Sequence, residues 1–273
     1  MTFRERLEAA WERSGSLLCV GLDPEPERMP VDDVVAFNRA VIEATADLVC
    51  AYKPNIAFYE RLGRSGFDAL KATVDAVPDG VIAIVDAKRG DVGHTARAYA
   101  EALFDAVGAD AVTVNAYLGA DSLEPFLERP DRGVFIVCRT SNPGARDLQD
   151  LLVDTADGPR PLYEVVALSA RTWDRHGNVG LVAGATYPDE LSRLRALCPE
   201  TPFLVPGVGA QGGDVRAAVR AGADARGRGL IVSASRSVIY AGSGPRFADA
   251  VREAALRLKA EIDAALGSEV TRP

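Results

Sequence analysis

Residues 81–91, VIAIVDAKRGD, place the charged residues Asp86, Lys88 and Asp91 directly after an apolar run. An apolar run of this length is typical of a buried parallel strand, so Asp86, Lys88 and Asp91 come where the strand leaves the core. Side chains alternate across a strand, and Asp86 and Lys88 are therefore expected to point to the same side. Packing acid, base and acid into one low-dielectric pocket is costly, which indicates a site for electrostatic or acid–base chemistry.

A second lysine, Lys53, ends the preceding apolar run. Such a lysine could simply extend its ammonium to water from a buried stem. Beside Asp86, Lys88 and Asp91 it instead indicates an alternating charged array in which each group is held by its neighbours. Thr95 follows this array and could either cap the next helix or hydrogen-bond a ligand, and capping is the commoner use.

Residues 206–213, PGVGAQGG, follow a late apolar run and carry glycines in G-x-G-x-x-G spacing. This spacing is a weak dinucleotide signal, and it normally occurs in the opening βαβ unit instead of late in a chain. In a barrel, the loops after the seventh and eighth strands form a phosphate site with backbone N–H donors. Gln211 would add a donor there and Arg236 a bidentate guanidinium. Glycines that serve only a tight turn are the alternative.

Eight apolar runs recur along the chain and predict eight strands, at residues 17–22, 48–52, 81–85, 111–114, 134–138, 180–183, 203–205 and 230–232. Helical periodicity lies between most of them, at residues 34–46, 95–107, 120–127, 161–176, 190–197, 215–221 and 246–266. Strand–helix alternation of this length predicts an α/β protein with a (β/α)₈ TIM barrel as a single domain over residues 1–273. A doubly wound open sheet is the alternative. The polar segment 141–160 is expected to be a mobile loop over one barrel mouth.

Composition excludes several function classes. The net charge of −8 and the pI near 5.0 provide no basic field for nucleic acid or an anionic membrane, and no apolar stretch approaches the length of a bilayer span. The charged N-terminus predicts an amphipathic helix and no signal peptide. Two histidines supply a zinc or Ser-His-Asp site poorly. Four widely spaced cysteines, Cys19, Cys50, Cys138 and Cys198, predict buried reduced thiols and a cytoplasmic protein.

Several segments together resemble the orotidine 5′-phosphate decarboxylase family, in its longer bacterial branch. They are VGLDP, YKPN, DAKRGDVGHTA, VNAYLGADSLEPF, TSNPGA, PGVGAQGGD and SASRSVIYA, and the similarity runs over residues 17–241. The D-x-K-x-x-D element of this set also occurs in sugar-phosphate lyases of the same superfamily. Lys53 discriminates between them, because the metal-dependent relatives carry a carboxylate at that position to hold magnesium.

The resemblance implies a barrel that decarboxylates orotidine 5′-phosphate to UMP without metal or cofactor. Lys88 would donate a proton to a C6 carbanion, and Asp86 would lie beside the substrate carboxylate. The barrel would form a homodimer through its active-site end, so that Asp91 and Thr95 reach into the partner's site.

The resemblance also assigns the binding residues. Asp23 and Lys53 would bind ribose hydroxyls, and Ser141 would read the pyrimidine edge. The phosphate would be held by residues of the last two loops, namely Pro206, Gln211, Gly212 and Arg236. The segment 147–160 is an insertion of this branch, to which the sequence assigns no function.

Three other functions stay open on the sequence. A metal-dependent sugar-phosphate lyase or decarboxylase would share the barrel, but Lys53 argues against it. A non-catalytic sensor of phosphate ligands would tolerate erosion of the charged array, which is complete here. A dinucleotide-dependent oxidoreductase is weakened by the late position of the glycine loop.

Overall fold

The computed structural model describes residues 1–208 and 213–267. Eight parallel strands form a closed barrel in the order β1-β10-β9-β8-β5-β4-β3-β2. The strands in chain order are β1 (Leu18–Gly21), β2 (Ala51–Lys53), β3 (Ile82–Arg89), β4 (Ala111–Val114), β5 (Gly133–Arg139), β6 (Leu152–Thr155), β7 (Gly158–Pro161), β8 (Val179–Ala183), β9 (Phe203–Pro206) and β10 (Leu230–Ala234).

The first and last strands pair and close the barrel. Leu18 of β1 is in register with Val232 of β10, and Cys19 with Ser233. The predicted (β/α)₈ barrel is therefore confirmed, and the alternative of an open doubly wound sheet is wrong. Each predicted apolar run overlaps one barrel strand, because barrel strands are covered on both faces and are therefore mostly apolar.

Strands β6 and β7 form a separate antiparallel hairpin between β5 and β8, with Leu152 opposite Pro161 and Thr155 opposite Gly158. The prediction that residues 141–160 form only a loop is therefore wrong, because this segment contains most of the hairpin. The hairpin strands are short and polar and contain two prolines, which demote a strand signal. A 3₁₀ turn, Pro143–Asp147, precedes the hairpin. Motion of the segment stays a prediction.

Helices cover the outside of the barrel in each segment where periodicity predicted one, and also at residues 56–60, 66–75 and 236–239, where it predicted none. They are α1 (Phe3–Ser14), α2 (Val34–Thr45), α3 (Ile56–Glu60), α4 (Gly66–Asp75), α5 (Gly93–Glu101), α6 (Glu124–Leu127), α7 (Leu162–Trp173), α8 (Pro188–Leu197), α9 (Val215–Gly222), α10 (Arg236–Ile239) and α11 (Phe247–Gly267). A π turn, Ala102–Ala106, extends α5. Capping side chains start several of them: Asp33 accepts from the Ala36 N–H at 2.6 Å, and Thr2 forms a capping box with Glu5.

The amino-terminal end of the barrel is closed by α1. Phe3 is 1% exposed and packs edge-on against Phe135 of β5, with 6.1 Å between ring centroids. A side chain at Gly133 would collide with the Phe3 ring, so glycine at this position makes room for the aromatic pair. This end of the barrel is thus filled by apolar packing, and the polar groups collect at the other end.

The four cysteines are buried and unpaired, as predicted. Burial raises the pKa of the Cys19 thiol to about 12 and also raises the pKa of Cys138, so these thiols stay protonated at neutral pH. Within the described ranges, no helix combines the length and apolar character that crossing a membrane requires.

Candidate active site

Asp86 stands at the carboxyl end of β3 and joins two lysines. Its Oδ1 lies 2.6 Å from Lys88 Nζ, and its Oδ2 lies 3.2 Å from Lys53 Nζ at the end of β2. The Asp86 and Lys53 side chains are 11% and 7% exposed, whereas that of Lys88 is 49% exposed. Three members of the predicted charged array therefore meet within one chain, and Lys88 is the member that reaches the open barrel mouth.

The backbone at Lys88 departs from a regular strand. The pairing of β3 with β4 shifts register between Val85 and Arg89, and Lys88 has φ of 47°. It is the only non-glycine residue with positive φ among residues 1–208 and 213–267. A left-handed conformation is unfavourable for a lysine and persists only where its surroundings hold it. The bulge therefore turns the ammonium back toward Asp86.

Thr113, in the middle of β4, supplies the contacts that hold this bulge. Its Oγ1 accepts the Lys88 backbone N–H at 2.9 Å and donates to Asp86 Oδ1 at 2.8 Å. Thr113 is 1% exposed, so these bonds form away from water. One hydroxyl thus connects the lysine backbone to the carboxylate that its own ammonium contacts.

The two lysines set the ionisation of Asp86. Burial by itself would raise the pKa of Asp86, but the attraction of Lys53 and Lys88 outweighs it and holds that pKa well below its usual range. Burial would likewise lower the pKa of Lys53, but Asp86 and Asp23 hold it above its usual range. Asp86 is therefore a carboxylate and Lys53 an ammonium at neutral pH.

Asn55 joins the carboxylates of two strand ends. Its Nδ2 donates to Asp86 Oδ2 at 3.2 Å, and its backbone N–H donates to Asp23 Oδ1 at 3.2 Å. Its Oδ1 accepts from the Ala57 N–H at 3.1 Å and so caps α3. Asp23, half-buried after β1, is thereby positioned beside the array.

Asp91 stands apart from the other three charges within the chain. Its carboxylate accepts the Val92 N–H at 2.7 Å, and no hydrogen bond or ion pair joins it to Lys53, Asp86 or Lys88 in the part of the chain that the structure describes. Thr95 lies in the first turn of α5, whose N-cap is Val92 without a side-chain cap. The expectation that Thr95 caps this helix is therefore wrong.

The remaining predicted binding residues come from the carboxyl ends of β5, β9 and β10. Ser141 follows β5 and packs closely on Gly184, where a Cβ would lie 3.0 Å from the Ser141 backbone nitrogen. Pro206 ends β9 half-exposed, and Arg236 is exposed at the first residue of α10. No ion pair joins Arg236 to another residue of the two described ranges. Gln211 and Gly212 lie outside the described residues.

A parallel barrel brings all of these strand ends to one mouth, which is where barrel enzymes carry their active sites. Across residues 1–208 and 213–267, no group of three or more His, Cys, Asp or Glu side chains is placed to hold a metal ion. The arrangement offers a preorganised ammonium and carboxylate at the mouth, with Arg236 exposed at the start of α10. It can stabilise a developing anion and deliver a proton to it.

A family model described as orotidine 5′-phosphate decarboxylase / HUMPS family matches residues 16–251. The chain belongs to this family. It is 54% identical over 273 residues to the orotidine 5′-phosphate decarboxylase of Roseiflexus sp. (strain RS-1), covering 97% of this chain and 99% of that one. It is 52% identical over 270 residues to that of Thermomicrobium roseum, covering 96% and 95%.

Solved structures of the family have the same fold. The structure of Leishmania donovani OMP decarboxylase matches with a TM-score of 0.87 at 43% identity, covering 98% of this chain and 100% of that chain. The family predicted from the motifs is confirmed, and so is the predicted enzyme class, a carboxy-lyase. Two residues that contact the charged array were not predicted from the sequence. Asn55 belongs to the YKPN motif, but no role was predicted for it. Thr113 lies in an otherwise apolar strand, where its hydroxyl is the only sign of a polar function.

Proposed function

We propose that the protein decarboxylates orotidine 5′-phosphate to UMP and CO₂, in the synthesis of pyrimidine nucleotides. The observation that carries this proposal is the contact of Asp86 with both Lys53 and Lys88 at the barrel mouth. Loss of CO₂ from C6 of the pyrimidine leaves an electron pair in an sp² orbital that the ring π-system cannot delocalise. Such a reaction needs a fixed positive charge at the reacting carbon, which Lys88 provides.

In the proposed step, the bond between C6 and the carboxylate breaks and its electron pair stays on C6. A proton then passes from Lys88 Nζ to C6, and the lysine regains a proton from solvent. Asp86 lies beside the departing carboxylate and keeps the ammonium aimed, through its 2.6 Å contact with Lys88. Because Thr113 and the bulge hold this geometry before substrate binds, little reorganisation is needed during the reaction.

The rest of the mouth would bind the nucleotide. Asp23 and Lys53 would contact ribose hydroxyls, and Ser141 would read the pyrimidine edge. The phosphate would be held by the last two loops, with Pro206, Gln211, Gly212 and Arg236 as the proposed set. Arg236 is exposed and unpaired with other described residues, which suits it to an anion. Binding energy from the phosphate would close the loops over the reacting ring.

We propose further that two copies of the chain share their active sites. Among the described residues, Asp91 accepts one hydrogen bond, from the Val92 N–H, and forms no ion pair. Large apolar side chains stand exposed after β3 and β4, with Val92 54%, Tyr117 84% and Leu118 46% exposed. An exposed apolar group at the mouth favours association. In this arrangement Asp91 and Thr95 complete the partner's site, and residues 1–273 act as one cytoplasmic domain without cofactor or nucleic acid.

The test is direct. Purified protein is incubated with orotidine 5′-phosphate alone, and the loss of orotate-type ultraviolet absorbance is followed. We expect turnover that EDTA leaves unchanged; inhibition by the chelator would favour the metal-dependent lyases instead. Lys88→Ala should lower turnover by at least about 10²–10⁴-fold.

The matched control is Lys71→Ala, because Lys71 is an exposed lysine of α4 whose ion pair with Asp75 lies on the outer surface. This control should keep wild-type activity. Near-normal turnover in Lys88→Ala, or no turnover in the wild type, would overturn the proposal.

A further inference from the structure

The insertion between β5 and α7 is fastened to the barrel by Arg139, the last residue of β5. Arg139 is fully buried, and its guanidinium lies 2.9 Å from Asp150 and 3.4 Å from Glu190 of α8. The guanidinium also lies over the Tyr187 ring, 4.4 Å from its centroid. A buried guanidinium with two carboxylates and an aromatic face is a rigid anchor, since a buried charge must keep its partners to offset its loss of hydration.

Gln149 of the insertion contacts the strand end next to this anchor. Its Oε1 accepts the Thr140 backbone N–H at 2.9 Å, and its Nε2 donates to Thr140 Oγ1 at 2.8 Å. Arg139 also donates to the same Oε1 at 3.4 Å. Gln149 therefore holds both the backbone and the side chain of Thr140, which is the residue directly before Ser141.

The opposite side of this loop is closed by β8. The Gly184 N–H donates to the Arg139 carbonyl at 2.8 Å, and a Cβ on Gly184 would lie only 3.0 Å from Ser141, so the two backbones pack closely. The backbone of residues 139–141 is thus fixed between the Gln149 amide and Gly184. The backbone position of Ser141 is therefore constrained from both sides.

We propose that Gln149 is a positioning residue for recognition of the pyrimidine, and that the insertion serves to bring it to Thr140. This inference rests on the proposed function, in which Ser141 reads the base. Gln149 acts through Thr140 and does not itself touch the nucleotide. Its loss should therefore weaken the contribution of the base to binding and leave the contribution of the ribose phosphate unchanged.

The test compares two probes on the same variants. UMP carries base, ribose and phosphate, and ribose 5-phosphate lacks the base. Gln149→Met keeps the length of the side chain and removes both hydrogen bonds to Thr140. From the usual net value of such bonds, we expect UMP to bind about tenfold more weakly to Gln149→Met, with binding of ribose 5-phosphate unchanged.

Asp154→Asn is the control within the insertion, because Asp154 is exposed on β6 and makes no ion pair with other described residues. It should bind both probes like the wild type. Ser141→Ala should show the same base-selective loss as Gln149→Met, and the double variant should lose little more than either alone. If Gln149→Met folds poorly, Thr140→Val, which removes the Oγ1 acceptor, should show a base-selective loss in its place.

Equal weakening of both probes, or additive losses in the double variant, would overturn the positioning role. Unchanged UMP binding in Gln149→Met, with an active wild type, would overturn this inference alone. A wild type that neither binds UMP nor turns over orotidine 5′-phosphate would overturn the proposed function as well, so the two failures are distinguishable.

Discussion

Individual side chains of the mouth are held by contacts between neighbouring strands. The Lys88 ammonium contacts Asp86 although the lysine backbone is in an unfavourable left-handed conformation, with φ of 47°. Thr113 on β4 accepts the Lys88 N–H and donates to Asp86, so it stabilises both ends of that contact. The position of the proposed proton donor therefore depends on a residue that has no charge.

Thr113→Val tests this dependence. Valine has nearly the shape of threonine but leaves the Lys88 N–H without its partner, and an unsatisfied buried donor costs about 1–3 kcal/mol. We expect kcat to fall by about tenfold or more, with little change in KM, because the substrate contacts stay in place. Thr113→Ser keeps the hydroxyl and should retain most of the activity. A Thr113→Val variant with wild-type kcat would contradict the role.

The ionisation of Asp86 predicts a pH dependence of stability. The pKa of Asp86 in the folded protein is lowered, so the array stabilises the protein fully above the unfolded value of about 3.9, and this contribution is lost as pH falls through the folded value. Asp86→Asn leaves Lys53 buried without its partner and should lower the free energy of unfolding by about 3–5 kcal/mol at pH 7. Urea unfolding at several pH values measures this difference, which should narrow below pH of about 3.9.

Asp75→Asn is the control for that series, because Asp75 forms an exposed ion pair with Lys71 on α4. Exposed pairs contribute about 0–1 kcal/mol, so this variant should follow the wild type at every pH. A difference between wild type and Asp86→Asn that grows toward acid would contradict the assigned sign.

The two ends of the barrel differ: apolar side chains fill the amino-terminal end, and the candidate active site lies at the carboxyl-terminal end. Helix α1 covers the amino-terminal end with Phe3, whose ring lies against Phe135 and whose backbone N–H donates to the Pro130 carbonyl at 2.8 Å. In such barrels the amino-terminal end contributes to stability, and the carboxyl-terminal end carries the active site. A change at Phe3 should therefore affect folding and leave the reaction untouched.

Phe3→Ala should lower the free energy of unfolding by about 3–5 kcal/mol, because it empties a fully buried aromatic position. The midpoint of urea unfolding measures the loss, and KM for orotidine 5′-phosphate should not change. Phe67→Ala is the matched control, since Phe67 is a phenylalanine of α4 that is 47% exposed. An unaltered midpoint in Phe3→Ala would contradict the closing role of α1.

For the assembled protein, the exposed apolar side chains and Asp91 lie on loops of the same mouth. Val92 follows β3, which carries Asp86 and Lys88, and Tyr117 follows the neighbouring strand β4. A second copy packed there would cover these side chains and bring its own Asp91 to the neighbouring site. The proposed dimer would then be required for activity as well as for stability.

Mixing two inactive variants tests the shared site. Lys88→Ala and Asp91→Ala should each be inactive alone. In a twofold dimer with random pairing, half of the dimers are hybrids with one intact site, so mixing after exchange of subunits should restore about a quarter of wild-type activity. Absence of rescue, with hybrid dimers demonstrated by mass, would contradict a site built from two chains.

Sequence patterns alone were sufficient to predict the barrel and the gathering of charged residues at its mouth. Apolar runs and helical periodicity are local properties, and parallel strands must then bring residues such as Lys53 and Asp86 to one end. The alternation argument also predicted that Asp86 and Lys88 meet. They do so through a bulge with a left-handed lysine, which regular alternation does not contain.

Tertiary structure decided the features that depend on partners distant along the chain. The hydroxyl of Thr113 becomes a site group only because β4 lies beside β3, and Gln149 reaches Thr140 only because Arg139 holds the insertion against the barrel. Neither contact leaves a periodic trace in the sequence, since each is a single hydrogen-bonding residue satisfied across space. The spacing of residues in the sequence predicts that charged side chains lie at the mouth. Tertiary packing determines which uncharged residues hold those side chains in position.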